Sequence, residues 1–415
     1  MNYSIEIDKS SYHPNVYLTI VLFFMAVLLN QSNILFGINV SLADAFCMLL
    51  LIFFLIKNQL TIPYIPLLYF FLTSIFVILT AIFFVPAKFN TNLEPINIAS
   101  DYVKLIAVFI YFLIGYNLSK IKLIKKTLKW YSVFGLFIGV VGIIYTLLNI
   151  QTFSSTFFYA GTRFRGLMID PNYYSVLQVT SLVFITRTET IKNRYKLLAI
   201  AIVVISVLLS GSKTGTLTCA SYLFFRGLEY LFTKEKKWFL TVLYFFLGGI
   251  LILLILTTIS YIKENINVLS SSIPSFSRVL FLITNFTEAI SSNGSGREDA
   301  WKTAIQIIQF SPILGIGVGT YSAIAEEMFN MDSVAHNTFL QLAAEWGAPL
   351  SFVFFIYVIT ALGKTTFLTG YKSETILILR DLIFIMLIGS LAISLNNSRS
   401  LWLFLGALIA SIKQK

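Results

Sequence analysis

Long apolar runs separated by short polar breaks dominate this chain. A membrane helix takes about 20 mostly apolar residues, so each run of that kind predicts a span. The first half gives spans over 15–29, 34–56, 62–85, 96–118, 130–150 and 172–186. Six more follow over 197–209, 215–232, 238–260, 336–362, 376–395 and 401–412. The first run follows Glu6 and Asp8, with no basic segment before it and no small-residue cleavage site after it, so it reads as a retained span. The predicted fold class is all-α: a polytopic integral membrane helical bundle of about 12 transmembrane helices, a single transmembrane domain over 1–415. Its longest connection, 261–335, precedes the last three spans over 336–412.

That connection has a helix signal of its own, near 297–310. Ser295-Gly296-Arg297-Glu298 fits a capping box, and Trp301, Ala304, Ile305 and Ile308 then recur at helical spacing opposite Lys302, Gln306 and Gln309. Pro312 stops the pattern. Such an amphipathic helix suits the membrane interface, with its apolar face on lipid or on the bundle.

Composition narrows the class. Hydrophobic residues make up 57% of the 415 and charged ones 12%, with a mean hydropathy of +0.83, which excludes a soluble enzyme and a disordered chain. The net charge of +11 invites a nucleic-acid partner, but the distribution of the cations points elsewhere. Lys57, then Lys120, Lys122, Lys125, Lys126 and Lys129, then Arg187, Lys192, Arg194 and Lys196, then Lys234, Lys236 and Lys237, then Lys364 and Lys372 all fall on even-numbered connections. Lys9, Lys413 and Lys415 share that side, so the positive-inside rule makes it cytoplasmic, both termini included. No basic tail or groove is left for nucleic acid; the surroundings are membrane lipids. The connection 261–335 then faces outward. Cys47 and Cys219 lie in separate apolar runs and read as packed small hydrophobes rather than a disulfide or zinc ligands.

Cations on the outer side are the informative ones, because the rule does not place them there. They are Arg163 and Arg165 before the sixth span, Lys213 in the turn Ser210-Gly211-Ser212-Lys213-Thr214-Gly215, and Arg278 and Arg297 in the long connection. A bundle can bring these five to one cavity, and its partner would be phosphate or pyrophosphate, whose oxygens pair with guanidinium through parallel hydrogen bonds. Arg297 also sits in the first turn of the predicted helix, where free amides favour an anion. The competing reading of each is snorkelling to the headgroups. His336, one of two histidines with His13, opens the tenth span and is a general-base candidate, or else a histidine bonded to backbone at a helix start.

Other features read as structure. Gly315-Ile316-Gly317-Val318-Gly319 lacks the strand and acidic residue of a dinucleotide site and reads as a flexible re-entrant turn. Asp44, Asp101, Lys104, Glu345 and Asp381 fall within or near spans, where ionisable groups are costly. Asp101 with Lys104, and Arg226 with Glu229, are spaced to pair on one helix face. No Asp-x-Asp signature stands on the outer side, which argues against a metal-dependent glycosyltransferase; neither a metal nor a cofactor is expected.

Several of these pieces, in order, resemble the O-antigen ligase and O-antigen polymerase superfamily of bacterial polysaccharide assembly. They are Arg165-Gly166 and Asp170-Pro171-Asn172, the turn 210–215, and Gly296-Arg297 with Trp301. Then come Pro312 with Gly315, Gly317, Gly319 and Tyr321, and finally His336-Asn337 with Gly347. The resemblance covers about 162–350. Lys213 stands where the family commonly has arginine, and Leu350 where ligases usually have Gly, Thr or Tyr.

The resemblance implies glycan transfer from an undecaprenyl diphosphate-linked oligosaccharide to a sugar acceptor on the extracytoplasmic face of the inner membrane. It implies catalytic roles for Arg297 and His336, the arginine on the diphosphate and the histidine on the acceptor hydroxyl. Arg163, Arg165, Lys213, Arg278, Asn172 and Asn337 would bind substrate. Polymerisation of O-antigen, capsular or exopolysaccharide repeat units is the leading expectation, with a chain-length regulator protein as a further partner. Ligation of the glycan to lipid A core and a lipid-linked oligosaccharide flippase are the rivals; transporters of that kind typically hold their basic cavity near the midplane between repeated halves.

Overall fold

The computed structural model describes residues 16–32, 41–90, 93–233, 275, 278, 296–331, 334–368, 370 and 373–414. Among them helix dominates. The apolar runs of the first half become α1 (Val16–Leu28), α2 (Leu42–Ile56), α3 (Tyr64–Leu79), α4 (Val85–Phe89), α5 (Pro95–Lys120) and α6 (Ile124–Leu147). A short α7 (Ser154–Phe157) and a hairpin of β1 (Phe158–Tyr159) and β2 (Arg163–Phe164) lead into α8 (Pro171–Arg187), α9 (Asn193–Leu209) and α10 (Lys213–Thr233). The last part holds α11 (Arg297–Phe310), α12 (Tyr321–Phe329), α13 (Thr338–Trp346), α14 (Ala348–Phe367), α15 (Glu374–Ser390) and α16 (Arg399–Lys413).

Four helical segments among the described residues are long and apolar enough to cross a membrane: Tyr64–Phe89, Pro95–Lys120, Ile124–Leu147 and Ala348–Phe367. With them the protein is a helical membrane protein. Helices α8, α9, α15 and α16, also expected as spans, are 17, 17, 17 and 15 residues long and fall short of that length. The span expected over 238–260 lies outside the described residues. Tyr64–Phe89 stays continuous through Pro86, which has no N–H to give; the chain widens into a π turn at Thr80–Phe84 just before it.

The tightest contact in the core is between α5 and α16. A methyl group on Gly115 would strike the Leu403 carbonyl, and one on Gly406 the Phe112 carbonyl, so the two backbones approach as only small residues allow. A second lock lies at one end of α8, α10 and α15. There Asp381, fully buried, accepts from Arg187 Nε at 2.6 Å and Arg380 Nη2 at 2.8 Å, and Glu229 takes Arg187, Arg380 and Arg226. The pairings expected of Arg226 with Glu229 and of Asp101 with Lys104 (2.5 Å) are present. Arg187, counted above among the loop cations, is instead held in this network, because a buried guanidinium needs its charge compensated. Cys47 and Cys219 are buried thiols.

The single helix expected over 336–362 is broken in two at Gly347, whose φ of +80° and ψ of 156° leave the helical region. The break frees the last carbonyls of α13, and the glycine turn fills the gap. Ile316 N–H donates to Ala344 O at 2.8 Å and Gly317 N–H to Glu345 O at 2.9 Å. Gly315, Gly317 and Gly319 all have positive φ, and a Cβ on them would meet backbone of Glu345, Ala81 and Asn97 at 2.6, 2.5 and 2.7 Å. The turn expected to be flexible is therefore a wedge fixed between α3, α5 and α13, and its glycines serve close backbone approach.

Candidate active site

Helix α8 begins where the local sequence dictates. Asp170 has extended backbone and its carboxylate accepts from Asn172 N–H at 3.0 Å and Tyr173 N–H at 3.1 Å, while Pro171 occupies the first helical position, where no N–H is needed. Asn172 then ties three segments together. Its Oδ1 accepts from Arg163 Nη2 at 3.2 Å and from Ser212 Oγ at 2.9 Å, and its Nδ2 donates to Asp170 Oδ1 at 3.2 Å. Arg163 Nε donates to Ser210 O at 2.9 Å. The hairpin holds Arg163 in place because its neighbour Phe164 is fully buried edge-on against Tyr174.

Around Asp170 the cations gather. Burial, with the repulsion of Arg278 and Arg297, holds the Arg163 guanidinium below its ordinary pKa, against the pull of Asp170. Arg297 is lowered by burial and by Arg278, and Asp170 again opposes. The charges of Arg278 and Arg297 also act on Lys213. Among the described residues no hydrogen bond or ion pair engages the Arg297 side chain. Among the described residues Asp170 is the carboxylate that acts on both Arg163 and Arg297, and the excess of cations around it favours an added anion.

His336 stands between that cluster and a cavity of about 270 Å³ that it lines together with Asp170, Tyr173 and Arg399. Its backbone is left-handed (φ 47°), an uncommon conformation for a residue with a side chain. The next residue, Asn337, anchors the turn: its Oδ1 accepts from Phe339 and Leu340 N–H and its Nδ2 donates to Leu391 O. Burial lowers the His336 pKa, Arg297 lowers it further, and Asp170 opposes them. These influences favour the neutral ring, the form that can accept a proton.

A family model described as O-antigen ligase matches residues 198–355. That match supports the resemblance of the chain to the O-antigen ligase and polymerase superfamily. The matched stretch contains Lys213, Arg278, Arg297 and His336, while Arg163 and Asp170 of the same cluster lie before it. The match suggests glycan transfer of the ligase or polymerase type and, with the apolar helices, a multi-pass membrane location. No curated protein matches the chain.

Several expected site residues take other roles. Arg165 is not in the cluster: Nε, Nη1 and Nη2 donate to the carbonyls of Thr156, Ile169 and Ser155 at 3.3, 3.1 and 2.8 Å, so its fork braces the loop around α7. The polar groups of Asn172 and Asn337 are engaged by protein partners. Helix α11 starts after Gly296 (φ +64°) with no side-chain cap from that residue; Ser295, the expected cap, lies outside the described residues, and Glu298 pairs with Lys302 at 2.8 Å. The packed face of α11 is Ala300, Thr303, Ala304 and Ile307, turned from the expected Trp301, Ile305 and Ile308, of which Ile305 is 45% exposed. Three residues were missed. Asp170 was readable as a cap before Pro171, but not as the anion at the centre of the cluster. Lys88, which donates to Phe310 O, and Arg399, which pairs with Asp44 at 3.0 Å, are further cations in odd-numbered connections.

Proposed function

We propose that the protein lengthens a surface glycan by transferring an oligosaccharide from undecaprenyl diphosphate to a hydroxyl of an acceptor repeat unit. The excess of cations around Asp170, next to a neutral and half-buried His336, carries this reading. His336 takes the proton of the acceptor hydroxyl as its oxygen attacks the anomeric carbon. The bond from that carbon to the diphosphate breaks, and the diphosphate leaves with the electron pair. Its growing charge is met by Arg297 and Arg163, with Arg278 and Lys213 in support, as preorganised donors that need no rearrangement. Asp170, Asn172 and Asn337 hold these groups in position. The basic connections support an extracytoplasmic site: α8 carries Asp170 at its start and the network of Arg187 at its end, on the order of 25 Å away for 17 helical residues.

Ligation to lipid A core has the family description on its side. A strain carrying Arg297→Gln or His336→Ala decides. Polymerisation predicts glycans of a single repeat unit on the cell surface, and ligation predicts long chains retained on the carrier. Carrier-linked units accumulating on the cytoplasmic face would overturn both in favour of a flippase.

A further inference from the structure

The cavity beside His336 has a second wall that the transfer chemistry does not use. It comes from the end of α1 and from the turn between α15 and α16: Gln31, Ser394, Asn397 and Arg399. Gln31 is 4% exposed; its Oε1 accepts from Ser41 Oγ and Leu42 N–H, but among the described residues its Nε2 has no partner. The buried Ser394 Oγ has none among them either. Two unsatisfied polar atoms in one small cavity are a cost that a ligand can remove. Asp170 and His336 line the cavity, whereas Arg163, Arg278, Arg297 and Lys213 do not. The anionic donor group therefore belongs with the cations, outside the cavity, and a different ligand belongs inside it.

The charge of the cavity says which. Arg399 is its one arginine or lysine among the lining residues, and it is neutralised by Asp44 through Nη2 to Oδ2 at 3.0 Å and Nε to Oδ1 at 3.2 Å, with Tyr111 OH donating to the same carboxylate at 2.9 Å. No uncompensated cation awaits a phosphate there. An amide donor, a hydroxyl and the apolar surface of Met168, Ile169 and Ile393 match a ring that offers both hydroxyls and C–H faces. A volume of about 270 Å³ suits a terminal unit rather than an extended chain.

We propose that this cavity is the acceptor subsite, and that Gln31, Ser394 and Asn397 select an uncharged terminal sugar whose hydroxyl is presented to His336. The assignment rests on the transfer reaction above and deepens it. All three selecting residues lie outside residues 198–355, so the acceptor is read by parts of the chain that the family model does not match.

The test uses the full chain reconstituted in liposomes, with lipid-linked oligosaccharide from a strain lacking the gene as donor and the free repeat-unit oligosaccharide as acceptor. Ser394→Leu and Asn397→Leu should each raise the acceptor KM by about tenfold, the loss of one hydrogen bond's worth of binding. Affinity for undecaprenyl diphosphate itself should stay at the wild-type value, which also reports that each variant is folded. Arg297→Gln should do the reverse and weaken undecaprenyl diphosphate binding. Wild-type acceptor KM in both leucine variants, or an equal loss of undecaprenyl diphosphate binding, overturns the acceptor assignment alone. A wild-type protein that neither binds undecaprenyl diphosphate nor transfers refutes the function, and the acceptor assignment with it.

Discussion

The break at Gly347 gives the sharpest structural prediction, through Gly347→Ala. With φ +80° and ψ 156° the residue occupies a region that is essentially glycine-only, which costs an alanine about 1–3 kcal/mol. The new methyl would also strike the Ile313 carbonyl oxygen and lie 2.8 Å from its carbon and 3.1 Å from Gly315 N, all backbone atoms that cannot swing aside like a side chain. Relieving the clash displaces the segment whose bonds run from Ala348 N–H to Pro312 O (2.8 Å) and from Ile316 N–H to Ala344 O (2.8 Å), at about 1 kcal/mol net for each. The total is about 3–5 kcal/mol against the roughly 5–15 that holds a typical domain together. Thermal unfolding in detergent should shift down by on the order of 5–10 °C. Because α13 is the strut whose other end carries Asn337 and His336, transfer activity should fall in parallel. Gly363→Ala on α14 is the control: nothing lies within 4 Å of its Cβ, so it should be neutral or stabilising by up to about 1 kcal/mol. Equal behaviour of the two variants would refute the argument that Gly347 is fixed by backbone geometry.

Four further expectations follow from the charges. Transfer should fall as pH drops through a value below the ordinary histidine pKa, since burial and Arg297 lower that of His336 and only the neutral ring accepts a proton. Asp170→Asn, which removes the one opposing influence, should move this acid limb to still lower pH, and a move to higher pH would contradict the proposed role. Arg165→Gln should lower thermal stability and leave undecaprenyl diphosphate affinity near wild type, because its guanidinium braces carbonyls of a loop, and a selective loss of that affinity would return Arg165 to the site. Asp381→Ala should destabilise by about 3–5 kcal/mol, as removal of one member of a buried ion network leaves Arg187, Arg380 and Arg226 to share Glu229; an unfolding temperature equal to wild type would show that the network is not needed for stability.

Hydropathy alone determined the class of this protein and most helix positions, because burial of an apolar helix in lipid depends on the segment's own residues and little else. It also singled out Arg163, Arg278, Arg297, Lys213 and His336, since charge on the outer side stands out against the positive-inside pattern. The same logic could not separate Arg163 from Arg165, two residues apart on one short loop. Which guanidinium meets the cluster and which braces carbonyls depends on where Asn172, Ser210, Ser155 and Thr156 lie in space. Gly347 gave no hydropathy signal, because one glycine barely changes the mean of a window, yet its backbone angles split a span and create the carbonyls that the glycine turn binds. The acceptor wall is the extreme case: Gln31 and Ser394 are far apart in sequence and unremarkable singly. Only folding puts their unsatisfied atoms into one cavity with His336, and a polar atom without a partner is a property of its surroundings, not of its residue type.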